Sequence, residues 1–339
     1  MSKKNVFVLV LVVAAAFFFL GRMQVGKAID TGARKTVDNF FAEIEKVCDV
    51  DYENVKTSVA DKSTTVTGVT VKTLLGNIAI DKVTFSNYKE GITVKDYFGN
   101  DKEVPESIDV SVEGIIFNIG GMLNKLLEMP QIAQGMGPEQ IAALTNALDA
   151  LGISEELVID YDQSSKFDFD KNTMDVNLTI TLRGLVSIEE QVSLAEFDLE
   201  KLSTIKQGVA YNPADPASME ALEPVMDIII GNCSVTLIDN SLVERVIKLS
   251  ADNSNTSPED VKAQMKQAFS AADADEAPQF AKDLAKAMLN VLDGKSDRLT
   301  VNLKPEEGMS IMRLVELGES KDEEAVLNSL GISVVLEQD

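Results

Sequence analysis

The chain opens with Met1-Ser2-Lys3-Lys4-Asn5, then fifteen consecutive apolar residues from Val6 to Leu20, closed by Gly21-Arg22. A segment this apolar is placed either in a bilayer or in an export signal that is later removed. Spanning a bilayer takes about 20 residues. Asn5 and Gly21 lengthen the run, and Lys3, Lys4 and Arg22 carry charged tips that reach the two interfaces. No small-residue cleavage pattern follows closely: the nearest pair, Gly26 and Ala28, lies past the run with Lys27 between them, and no cysteine follows that would mark a lipoprotein. The expectation is an uncleaved anchor at residues 6–21 behind a short cytoplasmic tail at 1–5. Lys3 and Lys4 on one side stand against Arg22, Lys27, Arg34 and Lys35 on the other, so the positive charges do not set the orientation. A short Lys-Lys tail before an apolar run is the usual signal for export. The expected location is therefore the bacterial inner membrane, single-pass, with the bulk of the chain periplasmic.

Beyond the run, charge and missing residue types narrow the chemistry. The 339 residues hold 31 basic and 55 acidic side chains, a net charge of −24, and no histidine. Without imidazole, a Ser-His-Asp or Cys-His triad and the histidine-bearing zinc and iron sites are excluded. Two cysteines are too few for a Cys₄ zinc site or an iron–sulfur cluster. Setting aside Lys3, Lys4 and Arg22 leaves 28 basic residues against 55 acids, a net of −27 on the remainder. Such a surface repels phosphate, so no nucleic acid is expected as a partner, and it repels anionic lipid headgroups as well. Cys48 and Cys233 are either one long-range disulfide or two buried thiols.

The remaining chain reads as α+β. Residues 22–48 carry Val37, Phe40, Phe41, Ile44 and Val47 at helical spacing, an amphipathic helix leading off the anchor. From Val50 to Val112 the period changes to two, with Val66, Val69, Val71, Ile78, Ile80, Val83, Phe85, Ile108, Val110 and Val112 mostly on alternate positions. Pro138 and Gly152 bracket a helix, and Phe167-Asp-Phe169, the turn at Asp170–Thr173 and the strict alternation from Met174 to Leu182 spell a hairpin. Ser257-Pro258-Glu259-Asp260 is a capping box for a helix to about Ala271; Ala277–Leu292 is a second helix and Leu299–Leu303 a strand. Leu148–Ser154 and Leu327–Ser333 share the pattern L-x-x-L-G-I-S, a helix, a glycine cap and a departing strand. The expected fold is thus α+β: an N-terminal transmembrane helix, then an antiparallel sheet of meander and hairpins with short helices packed on it. The soluble region at 49–339 divides into halves at 49–211 and 217–339, with exposed linkers at Asn212–Pro216 and Asp252–Thr256.

Each catalytic pattern is weak. Ser86-Asn-Tyr-Lys89 and Ser203-Thr-Ile-Lys206 have the S-x-x-K spacing of serine–lysine hydrolases, without either partner motif. Such a hydrolase would need Lys89 or Lys206 buried beside its serine. Gly294-Lys295-Ser296 follows a helix instead of opening one, which suits a terminating turn and not a phosphate loop. Gly135-Met-Gly137 lacks the third glycine of a dinucleotide site. Asp168, Asp170 and Asn172 match the first positions of a calcium loop, but Thr173 and Thr179 replace its glycine and bidentate glutamate. No catalytic, cofactor-binding or metal-ligating residue is assigned, and no cofactor is expected. Gly114–Gly137, rich in Met, Leu and Ile, reads as a buried core helix or as a helix lining a lipid or partner groove.

An N-terminal tail, one anchor, an amphipathic helix and a strand-rich region, with Val50-Asp-Tyr52, Val66-Thr-Gly68-Val69 and Ile78-Ala-Ile80-Asp-Lys-Val83, resemble the AsmA-like and YdgA-type membrane-anchored bacterial envelope proteins over roughly the first 115 residues. The resemblance implies lipid handling or envelope assembly. The expected function is a non-enzymatic, membrane-anchored periplasmic protein that binds lipid or an envelope partner. The alternatives are a structural adaptor of the envelope without ligand and, least favoured, a Ser-Lys or carboxylate hydrolase.

Overall fold

A computed structural model describes residues 49–58, 60, 62–73, 75–95, 101–128, 137–203, 222–272, 279–305, 308–318 and 329–335. The apolar run at 6–20, the helix expected at 22–48, Cys48 and the linker at 212–216 lie outside these residues.

The alternating segments assemble into one antiparallel sheet of twelve strands. Its first limb is β1 (Asp49–Asp51) and β2 (Asn54–Ser58), both on the same edge of β3 (Ser63–Thr73), followed by β4 (Gly76–Lys89). A separate hairpin, β5 (Ile92–Lys95) and β6 (Asp101–Val104), interrupts the meander before β7 (Ser107–Asn118) returns to pair with β4. Then come β8 (Glu156–Asp168), β9 (Thr173–Leu182), β10 (Val186–Ala195), β11 (Ile229–Asp239) and β12 (Arg298–Leu303), with β14 (Ile332–Val335) at the far edge. The two-residue β13 (Met309–Ser310) extends β12's position along β11.

Of the helices that follow, those at 138–151, 258–272 and 279–293 fall where their capping signals put them. α1 (Ile119–Glu128) and α2 (Pro138–Leu151) join β7 to β8, and the five-residue α3 (Leu199–Ser203) follows β10. α4 (Leu242–Ser254), α5 (Pro258–Ala272) and α6 (Gln279–Asp293) join β11 to β12, and α7 (Ile311–Gly318) follows β13. Ser257 Oγ accepts the Asp260 amide at 3.1 Å, closing the first turn of α5. Gly152, Gly294 and Gly331 all take left-handed backbone after a helical turn, so the shared L-x-x-L-G-I-S pattern is one use of a capping arrangement that the chain employs at three places. Ile247, Ala251, Val261 and Leu292 are buried together, so α4, α5 and α6 form a small core of their own.

The expected fold class is corrected on two counts. Among the described residues no helix is long and apolar enough to cross a membrane. The longest, α5 and α6, have 15 residues and carry lysines and aspartates along one face, short of the roughly 20 apolar residues a span requires. A transmembrane helix is therefore no part of the described fold. Second, the sheet is not a base on which short helices are laid. Its principal core is built from the sheet alone: Val66, Val69, Val71, Val83, Phe85 and Ile108 are buried against Val50, Tyr52, Val55, Ile78, Ile80, Tyr88, Val110 and Val112. The helices that pack on it do so near strand ends or at the far edge: α1 on β4 and β8, α6 on β12 and β14, α7 on β13.

Two local expectations also change. The apolar segment from Gly114 is strand as far as Asn118, and α1, which follows, holds no fully buried residue. Among the described residues it packs on the ends of β4 and β8 and buries no side chain fully, so it is not a core helix. The segment Asp252–Thr256 is exposed as expected but is no linker: residues 252–254 end α4, Asn255 caps it in left-handed backbone, and the Thr256 amide returns to the Ala251 carbonyl at 3.0 Å.

Candidate functional site

Successive strand residues face opposite sides of a sheet, so register decides which side chains share a face. Following the partners from strand to strand, Val55, Val66, Val83, Val112, Tyr161, Ile180, Ile188, Leu237 and Leu299 lie side by side, one row of nine across nine strands. At the inter-strand spacing of about 4.8 Å this row is roughly 40 Å long. The neighbouring row on the same face runs through Thr64, Phe85, Val110, Gln163, Leu178, Glu190, Val235, Val301 and Val334. The opposite face carries Thr65, Thr84, Ser111, Asp162, Thr179, Glu189, Thr236 and Thr300 in register. One face is thus apolar from edge to edge and the other polar.

A crease crosses the first limb. Inward-facing residues step by three, not two, between Val66 and Val69, Val83 and Ile80, and Val112 and Ile115. Gly68 and Gly114 make the step with φ of +67° and +65°, a region that side chains with a Cβ disfavour. At Gly114 a Cβ would also run into the Asp81 carboxylate. On β7 the residues Glu113 and Gly114 bulge opposite Asp160, whose carboxylate accepts the Gly114 amide at 2.8 Å and both Arg183 Nε and Nη2 at 2.7 Å. That bidentate Arg183 pairing, with the Gly114 amide, holds the Asp160 carboxyl below the usual carboxylate range against the opposing effect of burial. Bulges bend a strand and add twist. Ile159 and Tyr161 beside the crease are 1% and 5% exposed, packed against apolar neighbours of the same face.

Within that apolar face lie a few polar groups. Tyr161 donates its hydroxyl to Gln163 Oε1, and Gln163 Nε2 donates to Ser165 Oγ at 2.8 Å, a ladder on alternate residues of β8. Ser165 and Thr64 are buried, and the Thr64 hydroxyl meets that of Thr57 at 3.5 Å. Burial pushes the Tyr161 phenol up to about 12. On β10 the alternation Val186, Ile188, Val192, Leu194 is broken at the third inward position by Glu190, half-buried between Leu178 and Val235. Its charge and burial together push the nearby Cys233 thiol upward, burial being the larger cause. Cys233 is a free thiol on the same face, in register with Val192 and Leu303. In the sequence Glu190 stands beside Glu189 and does not reveal which of the two faces inward; the Tyr161–Gln163–Ser165 ladder gave only the sign of polar residues at alternate places.

At the far end the cover changes sides. Thr236 on the polar face is 8% exposed and hydrogen-bonds Thr300 at 2.8 Å, whereas its neighbour Val235 on the apolar face is 40% exposed. Here the polar face is the covered one, and the apolar row emerges to solvent.

The catalytic patterns dissolve into ordinary structure. Lys89 is exposed and paired with Glu106, so it is no base for Ser86. The Ser203–Lys206 pair and the Gly135–Gly137 pattern extend outside the described residues. Gly294 and Lys295 end α6, with the Lys295 amide on the Asn290 carbonyl at 2.9 Å. Asp168 and Asn172 close the β8–β9 hairpin: Asp168 is bridged by Lys171 at 2.6 Å and Asn172 takes φ of +52°. Among the described residues no three acidic or cysteine side chains converge as a metal site would require. The run Asp239–Arg245 is a junction: Asp239 caps α4 through the Val243 amide at 3.1 Å, the amides of 240, 241 and 242 all reach the Leu185 carbonyl, and Arg245 ties α4 to the Leu151 carbonyl at the end of α2.

A family model described as "Uncharacterized protein" matches residues 172–337, which takes in β9 to β14 and the helices between them. No curated protein matches the chain.

Proposed function

We propose that the protein is a non-enzymatic binder of an extended apolar ligand, a lipid, lying along the apolar face of the sheet, and that it works at the cell envelope with this sheet on the periplasmic side of the inner membrane. The observation that carries the reading is the change of cover along the apolar face. Val66 and Val83 are buried core, but on β11, in the row next to Leu237, Val235 is 40% exposed, so at β10 to β12 the face opens to water instead of closing under a helix. An apolar face left open to water is costly unless something occupies it. The absence of histidine and the pairing of exposed Lys89 with Glu106 give catalysis no support among the described residues. The location draws on Lys3, Lys4 and the run from Val6 to Leu20.

The test is binding of the neutral apolar dye Nile red to the purified full chain. The expected result is saturable fluorescence enhancement, weakened about tenfold by Val235→Asp, since removing about 1.5 kcal/mol of apolar contact is about a factor of ten. Val235 is exposed in the free protein, so the substitution leaves the fold intact by circular dichroism. Dye that fails to bind, or binds Val235→Asp equally well, contradicts the reading.

A further inference from the structure

Glu190 is out of place in a purely structural account. It sits at an inward register position of β10, half-buried, with Leu178 on one side and Val235 on the other. Among the described residues no hydrogen bond or ion pair reaches its carboxylate; the Cys233 thiol on the same face is pushed further from ionising by burial and, to a lesser degree, by Glu190 itself. The adjacent Glu189 shows what the other face offers, since it has Arg298 as a partner at 3.8 Å. Two strands away in the same row stands Gln163, whose amide already serves Tyr161 and Ser165. A half-desolvated carboxylate without a cation costs free energy that a bound cation would return.

Resting on the proposed apolar-ligand site, we infer that the ligand is an amphiphile whose polar head carries an ammonium group, held with its aliphatic chain along the open part of the apolar face at β9 to β12 and its head at Glu190. The charge complementarity is specific. A fatty acid or a bare phosphate head would bring a second negative charge against Glu190, within a chain whose net charge is already −24. An ammonium donates three hydrogen bonds and needs only acceptors, which Glu190 supplies. The aliphatic part then meets Leu178, Ile180, Ile188 and Leu237, the apolar neighbours in register around that position.

The experiment is displacement of Nile red from the full-length protein by dodecylamine, dodecanol and dodecanoic acid, three probes with one chain length and different heads, on the native chain and on Glu190→Gln. On the native chain dodecylamine displaces the dye at a concentration roughly two- to fivefold lower than dodecanol, the size expected of one partly exposed charge pair, and dodecanoic acid is the weakest. In Glu190→Gln the amine loses that advantage over the alcohol, while the general attraction of an acidic protein for a cation persists in both proteins and so cancels. Should the dye not bind at all, the apolar-ligand reading falls and this inference with it. Should the dye bind while amine and alcohol compete equally, or while Glu190→Gln keeps the amine's advantage, the site stands and the assignment of its head group is overturned.

Discussion

The two limbs of the sheet use the same alternation and cover it differently. In the first limb, β3 to β8, the apolar face is buried among its own residues: Val66, Val69, Val83 and Ile159 are each at most 1% exposed. In the second, β10 to β12, the apolar face is open at Val235 and it is Thr236, on the polar face, that is buried. The difference follows from local devices. The first limb has the crease at Gly68 and Gly114, where the strands step out of regular alternation; the second has α4, α5 and α6, a helical unit with its own core, joined between β11 and β12. Alternation fixes which side chains share a face, but the cover on that face is decided by bulges and by what the connections carry.

That comparison breaks most visibly under paired substitutions. Ile159→Asp places an unpaired carboxylate in the buried limb and should lower stability by about 4 kcal/mol or more. Val235→Asp, on the same face in the open limb, should cost no more than about 0.5 kcal/mol. Urea unfolding midpoints of the two variants measure the contrast, and equal losses would mean that the limbs are covered alike.

Alkali sharpens the same point. The Tyr161 phenol is held at about 12 by burial, while in the unfolded chain it ionises near its ordinary value of about 10. Its folded pKa is raised for a group that is neutral below it, so stability falls as pH rises through 10 and levels off only beyond 12. Absorbance titration should show one of the five tyrosines ionising late, together with unfolding, and Tyr161→Phe should remove that late component.

Asp160 tests the crease. Replacing it with Asn removes the bidentate pairing to Arg183 and weakens the acceptor for the Gly114 amide, for an expected loss of about 1–2 kcal/mol at neutral pH. Because its folded pKa is depressed, this contribution is present above the unfolded value near 3.9 and lost as pH falls through the folded one. The native and Asp160→Asn denaturation curves should therefore converge in acid. Curves that stay equally far apart at every pH would show that the charge contributes nothing. The smallest effect belongs to the helical unit, where Lys266 and Lys295 hold the exposed Asp293 carboxyl at about 2. Asp293→Asn should shift the neutral-pH midpoint in the same direction as Asp160→Asn and by less, since solvent screens the pair.

Much of this architecture was legible in the residues. The strict alternation from Met174 to Leu182 is β9, and Pro138, Gly152, Ser257 and Gly294 mark helix ends within a residue or two. Illegible were the features that depend on distant partners. The step of three at Val66–Val69, Val83–Ile80 and Val112–Ile115 blurred the period locally, and only their alignment across three strands reveals a crease. Gly114–Asn118 continues a strand because β4 and β8 flank it, although its composition alone suits a helix equally well. The candidate site was hidden for the same reason. No motif encodes a row drawn from nine strands, and Glu190 becomes conspicuous only once β9 and β11 are set beside β10.

The central claim is that the apolar face at β10 to β12 is a ligand's surface and not a closed core, and native mass spectrometry of the full-length protein, extracted in mild detergent from cells that produce it, tests it most directly. The account predicts a protein mass accompanied by one or more adducts of lipid size, retained as detergent is stripped and reduced in Val235→Asp. A bare polypeptide mass under the gentlest conditions, identical in the native chain and in Val235→Asp, would contradict it.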